Sequence, residues 1–199
     1  MTRQVDFYFD FASPNAYLSH KVVSGIEERT GAKFNYIPVL LGGIFKATNN
    51  KPPMEAFFGI MNKNEYQSIE MQRFQERHGI DKFKMNPHFP VISLQIIRGA
   101  VGAQKDGYLD KYIDEVLKHM WEERKKMDDP DVIKEAFTES GFDADRLMEQ
   151  IQDPEITAQL LSNTEEAVNR GTFGIPTFFV GEEIFFGKDT LWQVEELLK

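Results

Sequence analysis

Ser13 stands at the end of an aromatic run, Val5-Asp6-Phe7-Tyr8-Phe9-Asp10-Phe11, and is followed at once by Pro14 and Asn15. That order reads as a strand closing into a corner, with Ser13 as a helix N-cap and Pro14 at the first helical position. A helix N-terminus offers free N–H groups and about half a positive charge, so an anion placed there is stabilised. Redox proteins use such a corner to lower the pKa of a cysteine. Here it carries a hydroxyl, whose pKa is far too high for ionisation. Ser13 could instead donate a hydrogen bond to a thiolate that belongs to another molecule. As a plain cap it would contribute about 1 kcal/mol of stability, and spacing alone leaves both roles open.

A second candidate is Gly174-Ile175-Pro176-Thr177-Phe178. A proline where a chain joins a strand is confined to an edge or a special turn. With a cis Ile175–Pro176 bond, the Ile175 amide and carbonyl could pair with a ligand's backbone; with a trans bond, Pro176 merely starts a strand. The third is Phe186-Gly187-Lys188-Asp189. Lys188 could hold a carboxylate and Asp189 an ammonium, or Asp189 is an ordinary acidic cap. Asn49, Asn50 and Lys51 read as turn residues.

Much else is excluded. Cysteine is absent, so no disulfide, thiolate metal site or C-x-x-C redox centre can form, and any thiol chemistry needs a borrowed thiol. The four histidines, His20, His78, His88 and His119, lack zinc-like spacing, and no H-E-x-x-H occurs, so no metal is expected. Phosphate-binding glycine motifs and the G-x-S-x-G elbow are missing as well. With 23 basic against 32 acidic residues the net charge is −9, which repels a phosphate backbone and argues against nucleic acid. No stretch approaches the roughly 18 apolar residues of a membrane span. The first residues lead directly into a strand, so a cytoplasmic location is expected.

The elements that must position these residues follow from periodicity. In 199 residues, 41% hydrophobic and 13% aromatic, there is ample material for a core. Val5–Phe11 is a strand, the segment after Ser13 a helix stopped by Gly31, and Lys33–Val39 a second strand closed by a Leu41-Gly42-Gly43 turn. Residues 44–62 read as loop-rich, broken by Asn49-Asn50-Lys51-Pro52-Pro53. Helical patterns fill 64–78, 92–106, 108–126, 130–140, 143–150 and 154–170. Strands return at 176–180 and 184–186 around Gly181-Glu182-Glu183, and a last helix runs from an acidic cap at Asp189 to Leu198. The order is β-α-β, a long helical block, then β-β-α. It predicts an α/β sheet domain, residues 1–43 with 171–199, interrupted by an all-helical insertion over 44–170.

Four motifs carry a resemblance over nearly the whole chain: residues 6–17 (DFYFDFASPNAY), 40–48 (LLGGIFKAT), 86–90 (NPHFP) and 173–181 (FGIPTFFVG). Together they resemble the 2-hydroxychromene-2-carboxylate isomerases, relatives of the kappa-class glutathione transferases. The resemblance implies a thioredoxin-like domain with a helical insertion, a homodimer, and glutathione as cofactor. It implies that Ser13 bonds the glutathione sulfur, that Ile175 before a cis Pro176 pairs with the cysteinyl backbone, and that Asn50, Lys188 and Asp189 hold the tripeptide's ends. Three departures stand out, one being Ile60-Met61-Asn62 where the family often has a tyrosine-containing segment. Where the family often has a lysine this chain has Phe57-Phe58-Gly59, and an arginine after the C-terminal aspartate is replaced by Thr190. Lys51 or Lys63 would then be the cations near a substrate carboxylate.

The expected function is glutathione-dependent isomerisation of a conjugated aromatic substrate by reversible thiolate addition, as in aromatic hydrocarbon catabolism. A kappa-like transferase or peroxidase using the same thiolate is the alternative within enzymes. A non-catalytic thioredoxin-like binding module is the alternative outside them.

Overall fold

The computed structural model describes residues 3–199. Strand β1 (Gln4–Phe9) lies parallel to β2 (Lys33–Pro38) and antiparallel to β3 (Thr177–Val180), which turns back into β4 (Glu183–Phe186). The strand order is β2-β1-β3-β4. The sequence neighbours β1 and β2 pair through the crossover helix α1 (Pro14–Thr30), as a parallel pair requires. Gly31, at φ 70°, ends that helix in the left-handed region and donates its N–H to the Glu27 carbonyl.

Eight helices separate β2 from β3: α2 (Leu41–Thr48), α3 (Pro53–Ala56), α4 (Lys63–His78), α5 (Leu94–Lys105), α6 (Leu109–Trp121), α7 (Pro130–Glu139), α8 (Ala144–Gln152) and α9 (Pro154–Asn169). Asp129, Asp143 and Asp153 cap α7, α8 and α9 by accepting from first-turn N–H groups. After β4 a 3-10 turn, Lys188–Thr190, leads into α10 (Leu191–Leu198).

Three local expectations are corrected. The helix read over 108–126 ends at Trp121. Leu41-Gly42-Gly43 is not a turn but the start of α2, and residues 44–48 continue it. Its local glycines argue for a break, but Ile44 is fully buried and Gly43 lets α9 approach. A Cβ there would meet the Thr164 methyl at 3.2 Å. Asp189 is not a helix cap either; it lies within the 3-10 turn, and α10 begins after Thr190 with no side-chain cap.

One hydrophobic core runs through both sheet and helices. Phe7, Phe9, Phe34 and Phe178 are buried in the sheet, while Ile96, Tyr112, Met120, Trp121 and Phe137 are buried in the helical block. Trp121 joins the two by donating its indole N–H to the Phe11 carbonyl at 3.0 Å, which fixes the chain just ahead of Ser13.

Candidate functional site

Beyond the C-terminal end of β1 the chain turns through Asp10–Ser13 into α1. Asp10 is fully buried, and its carboxylate accepts from Ala12 N–H at 2.9 Å and Leu41 N–H at 2.8 Å. Burial pushes the Asp10 carboxyl above the ordinary carboxylate range, against the opposing bonds from Ala12, Ser93 and Leu41. Its backbone carbonyl accepts from Ser13 N–H at 3.1 Å, so one residue sets both the corner and the start of α2.

Ser13 is 4% exposed and has the extended backbone of an N-cap, φ −93° and ψ 113°. Its Oγ accepts from Ala16 N–H at 3.2 Å. Its own hydroxyl proton is donated across 162 residues to the Ile175 carbonyl at 3.1 Å. Ala16 and Tyr17 N–H groups are taken by Ser13, and Pro14 has none. Among the described residues, Asn15 N–H is thus the first-turn donor left open to an anion.

The Ile175–Pro176 bond is cis. The Pro176 carbonyl accepts from Gly187 N–H at 2.9 Å, which places the Phe186–Asp189 stretch beside it. Gly174 is required by close approach: a Cβ would lie 2.8 Å from the Phe186 ring. Asn50 is exposed and donates to the Phe173 carbonyl at 2.8 Å, tying the loop after α2 to the segment that leads to Ile175. The structure therefore brings Ser13, Asn50, Ile175 and Pro176 into one region.

Lys188 and Asp189 sit differently from one another. Lys188 is 2% exposed, its ammonium held by both Glu70 oxygens at 2.6 Å and both Asp189 oxygens at 2.9 Å, over the Phe74 ring at 4.8 Å. It is already satisfied by carboxylates. The Asp189 side chain is 62% exposed and that of Glu70 33%, so Asp189 presents the most accessible charge of the group. The Glu70–Lys188–Asp189 chain carries a net charge of one negative, which suits an ammonium.

Glu70 and Asp10 escaped the sequence reading. Asp10 left a signal, an acid inside an aromatic strand. Glu70 left none, since its partner lies 118 residues away. The segment between Asn50 and α4 exposes Met54, Phe58 and Met61, and Lys63 lies over the Phe57 ring at 4.9 Å. Elsewhere His119, Glu123 and Glu139 place ligand atoms within 4.8 Å of one another. The Lys125 ammonium pairs with both glutamates of that group, so it supplies the positive charge there. No helix among the described residues is long and apolar enough to cross a membrane.

A family model for the DSBA-like thioredoxin domain matches residues 4–199. A 2-hydroxychromene-2-carboxylate isomerase of Pseudomonas putida is 26% identical over 195 residues, covering 98% of this chain and 93% of that protein. Glutathione S-transferase kappa 1 of Homo sapiens is 24% identical over 217 residues, covering 100% of this chain and 92% of its own. A solved 2-hydroxychromene-2-carboxylate isomerase structure matches with a TM-score of 0.84 at 25% identity, covering 98% of this chain and 94% of that one.

Proposed function

The chain belongs to the family of DSBA-like thioredoxin domains, and from that premise we propose that it is a glutathione-dependent isomerase acting on a conjugated aromatic substrate. Glutathione, when bound, supplies the thiolate that adds reversibly to a conjugated C=C, so that the bond can rotate before elimination. The observation that carries the reading is the Ser13–Ile175 bond at the N-terminus of α1 in a chain without cysteine.

The residues present fit the tripeptide. A serine hydroxyl has one proton, and here it rests on the Ile175 carbonyl. A ligand amide N–H pairing with that carbonyl would release the Ser13 proton to be donated to sulfur. Asn15 N–H and the positive end of α1 favour the same negative charge. Asp189 is the acceptor for the γ-glutamyl ammonium, and Asn50 lies beside the segment that the cysteinyl backbone would follow. Lys188 acts through Glu70 and Asp189 and does not contact the ligand. The same reading includes a cytoplasmic homodimer, with residues 1–43 and 171–199 as sheet domain and 44–170 as insertion.

The likeness to kappa-class transferases supports a second reading, conjugation or peroxide reduction by the same residues. An isomerase leaves glutathione unconsumed, and a transferase or peroxidase does not. Loss of a hydrogen bond to a charged group costs about 1.5–3 kcal/mol. Ser13→Ala is therefore expected to lower turnover about tenfold to a hundredfold. Unchanged turnover would remove Ser13 from the mechanism.

A further inference from the structure

The N-terminal half of β2 opens into a cleft of about 510 Å³ between α1 and α6, at the end of the sheet opposite Ser13. Its lining includes none of the residues of the Ser13 site. The strand's hydrogen-bond alternation explains what the cleft exposes. Lys33 N–H donates to Arg3 and Val39 N–H to Phe9, so the odd-numbered residues of β2 face β1. The even-numbered ones face outward. Phe34 N–H is taken by Glu27 at 2.8 Å and the Pro38 carbonyl by Asn163 at 3.0 Å. Between those two, the Phe34 carbonyl and both backbone groups of Tyr36 have no partner among the described residues, and both residues line the cleft. An unpaired edge of this kind is a template for another strand.

The walls are fixed. His20 on α1 bonds the Tyr36 hydroxyl on β2 through Nδ1 at 2.8 Å and Asp114 on α6 through Nε2 at 2.8 Å. The charges are unequal. Lys33 is paired with Glu27 at 3.3 Å, and Lys21 with Glu122 at 2.9 Å. Asp110 has no cationic partner among the described residues, and Asp114, one helical turn on, has only His20. Burial, then the fields of Asp114, Glu27 and Asp110, hold the Tyr36 hydroxyl well above the ordinary tyrosine range.

We propose that this edge binds a short extended peptide segment carrying an arginine or lysine side chain. The segment's amides add to Phe34 and Tyr36 as a further strand, and the cation lies against Asp110 and Asp114. The cleft's volume is that of a small-ligand pocket, so it admits one strand and not a folded domain.

The test is an amide-resolved NMR titration of the full chain with acetyl-Val-Arg-Val-amide, acetyl-Val-Glu-Val-amide and acetyl-arginine amide. The proposal expects saturable shifts at residues 34–37 with the arginine peptide and slowed hydrogen exchange at Tyr36 N–H. It expects no saturation with the glutamate peptide and roughly fivefold weaker binding of the arginine peptide to Asp110→Asn, with glutathione binding unchanged in that variant. Absence of saturable shifts overturns it. So do equal responses to the arginine and glutamate peptides. Equal affinity for acetyl-arginine amide would leave a cation site only and overturn the added strand.

Discussion

Glu70→Gln is expected to weaken glutathione binding by about fivefold without touching the sulfur. Glu70 lies 2.6 Å from the Lys188 ammonium and Asp189 2.9 Å from it. An ammonium seated against Asp189 in line with Lys188 and Glu70 would be roughly 8 Å from the Glu70 carboxylate. At that distance two unit charges interact by about 0.5 kcal/mol in water and about 2 kcal/mol at an effective dielectric near 20. The exposed Asp189 places the case between these limits, at about 1 kcal/mol. Without Glu70 the Lys188–Asp189 pair is neutral and attracts a cation weakly. The assay is calorimetric titration of native and Glu70→Gln protein with glutathione and with glutaryl-cysteinyl-glycine, which lacks the amino group. Affinity for glutathione should fall and affinity for the analogue should hold. Equal losses for both, or none for either, would refute Asp189 as the ammonium acceptor.

Three further outcomes follow from packing and charge. The Arg29 fork, 2.8 Å from both Glu195 oxygens, pulls the Glu195 carboxyl from 4.5 down to about 2. A depressed folded pKa stabilises the native state above 4.5, and that contribution fades as pH falls toward 2. In urea unfolding, native protein should lead Glu195→Gln by about 1 kcal/mol near pH 6, and the gap should narrow near pH 3; a constant gap contradicts it. Asp10 has the opposite sign, because burial raises its folded pKa and its contribution declines as pH rises through that value. Unfolding of Asp10→Asn should show a gap to native protein that is wider near pH 4 than near pH 7, and an inverted trend would count against the assignment. A Cβ on Gly99 would sit 2.1 Å from the Tyr112 hydroxyl, which donates to the Ile96 carbonyl at 2.8 Å, so Gly99→Ala should cost about 2–3 kcal/mol. Gly25→Ala, whose Cβ would meet the Arg29 guanidinium at 3.0 Å, should cost less than Gly99→Ala in the same experiment.

The sequence exposed the elements whose signals are local. The aromatic run of β1, the Ser13-Pro14 start of α1 and the Gly31 stop needed no partner to be read. The helical block was legible for the same reason, through its periodicity and its proline and glycine punctuation. α2 was not, because its helix depends on the burial of Ile44 and on α9 packing at Gly43, where Thr164 lies more than a hundred residues away. At the site, Ser13 could be proposed from its corner, but its bond to Ile175 is a property of the folded chain. Lys188 could be named as a candidate from its place beside Asp189, but its burial and its pairing with Glu70 of α4 are properties of the folded chain. The cleft at β2 left no motif either, since Asp110, Asp114, His20 and Tyr36 meet only after α1 and α6 settle on the strand.

In the proposed function, Ser13 and the N-terminus of α1 stabilise a thiolate that the chain itself cannot supply. The most direct test is an ultraviolet difference titration with glutathione at neutral pH, on native protein and on Ser13→Ala. A saturable thiolate band is expected that weakens in the variant while the protein remains folded. A band of equal strength in both would contradict the role of Ser13, and no band in the native protein would contradict the activated-thiol site altogether.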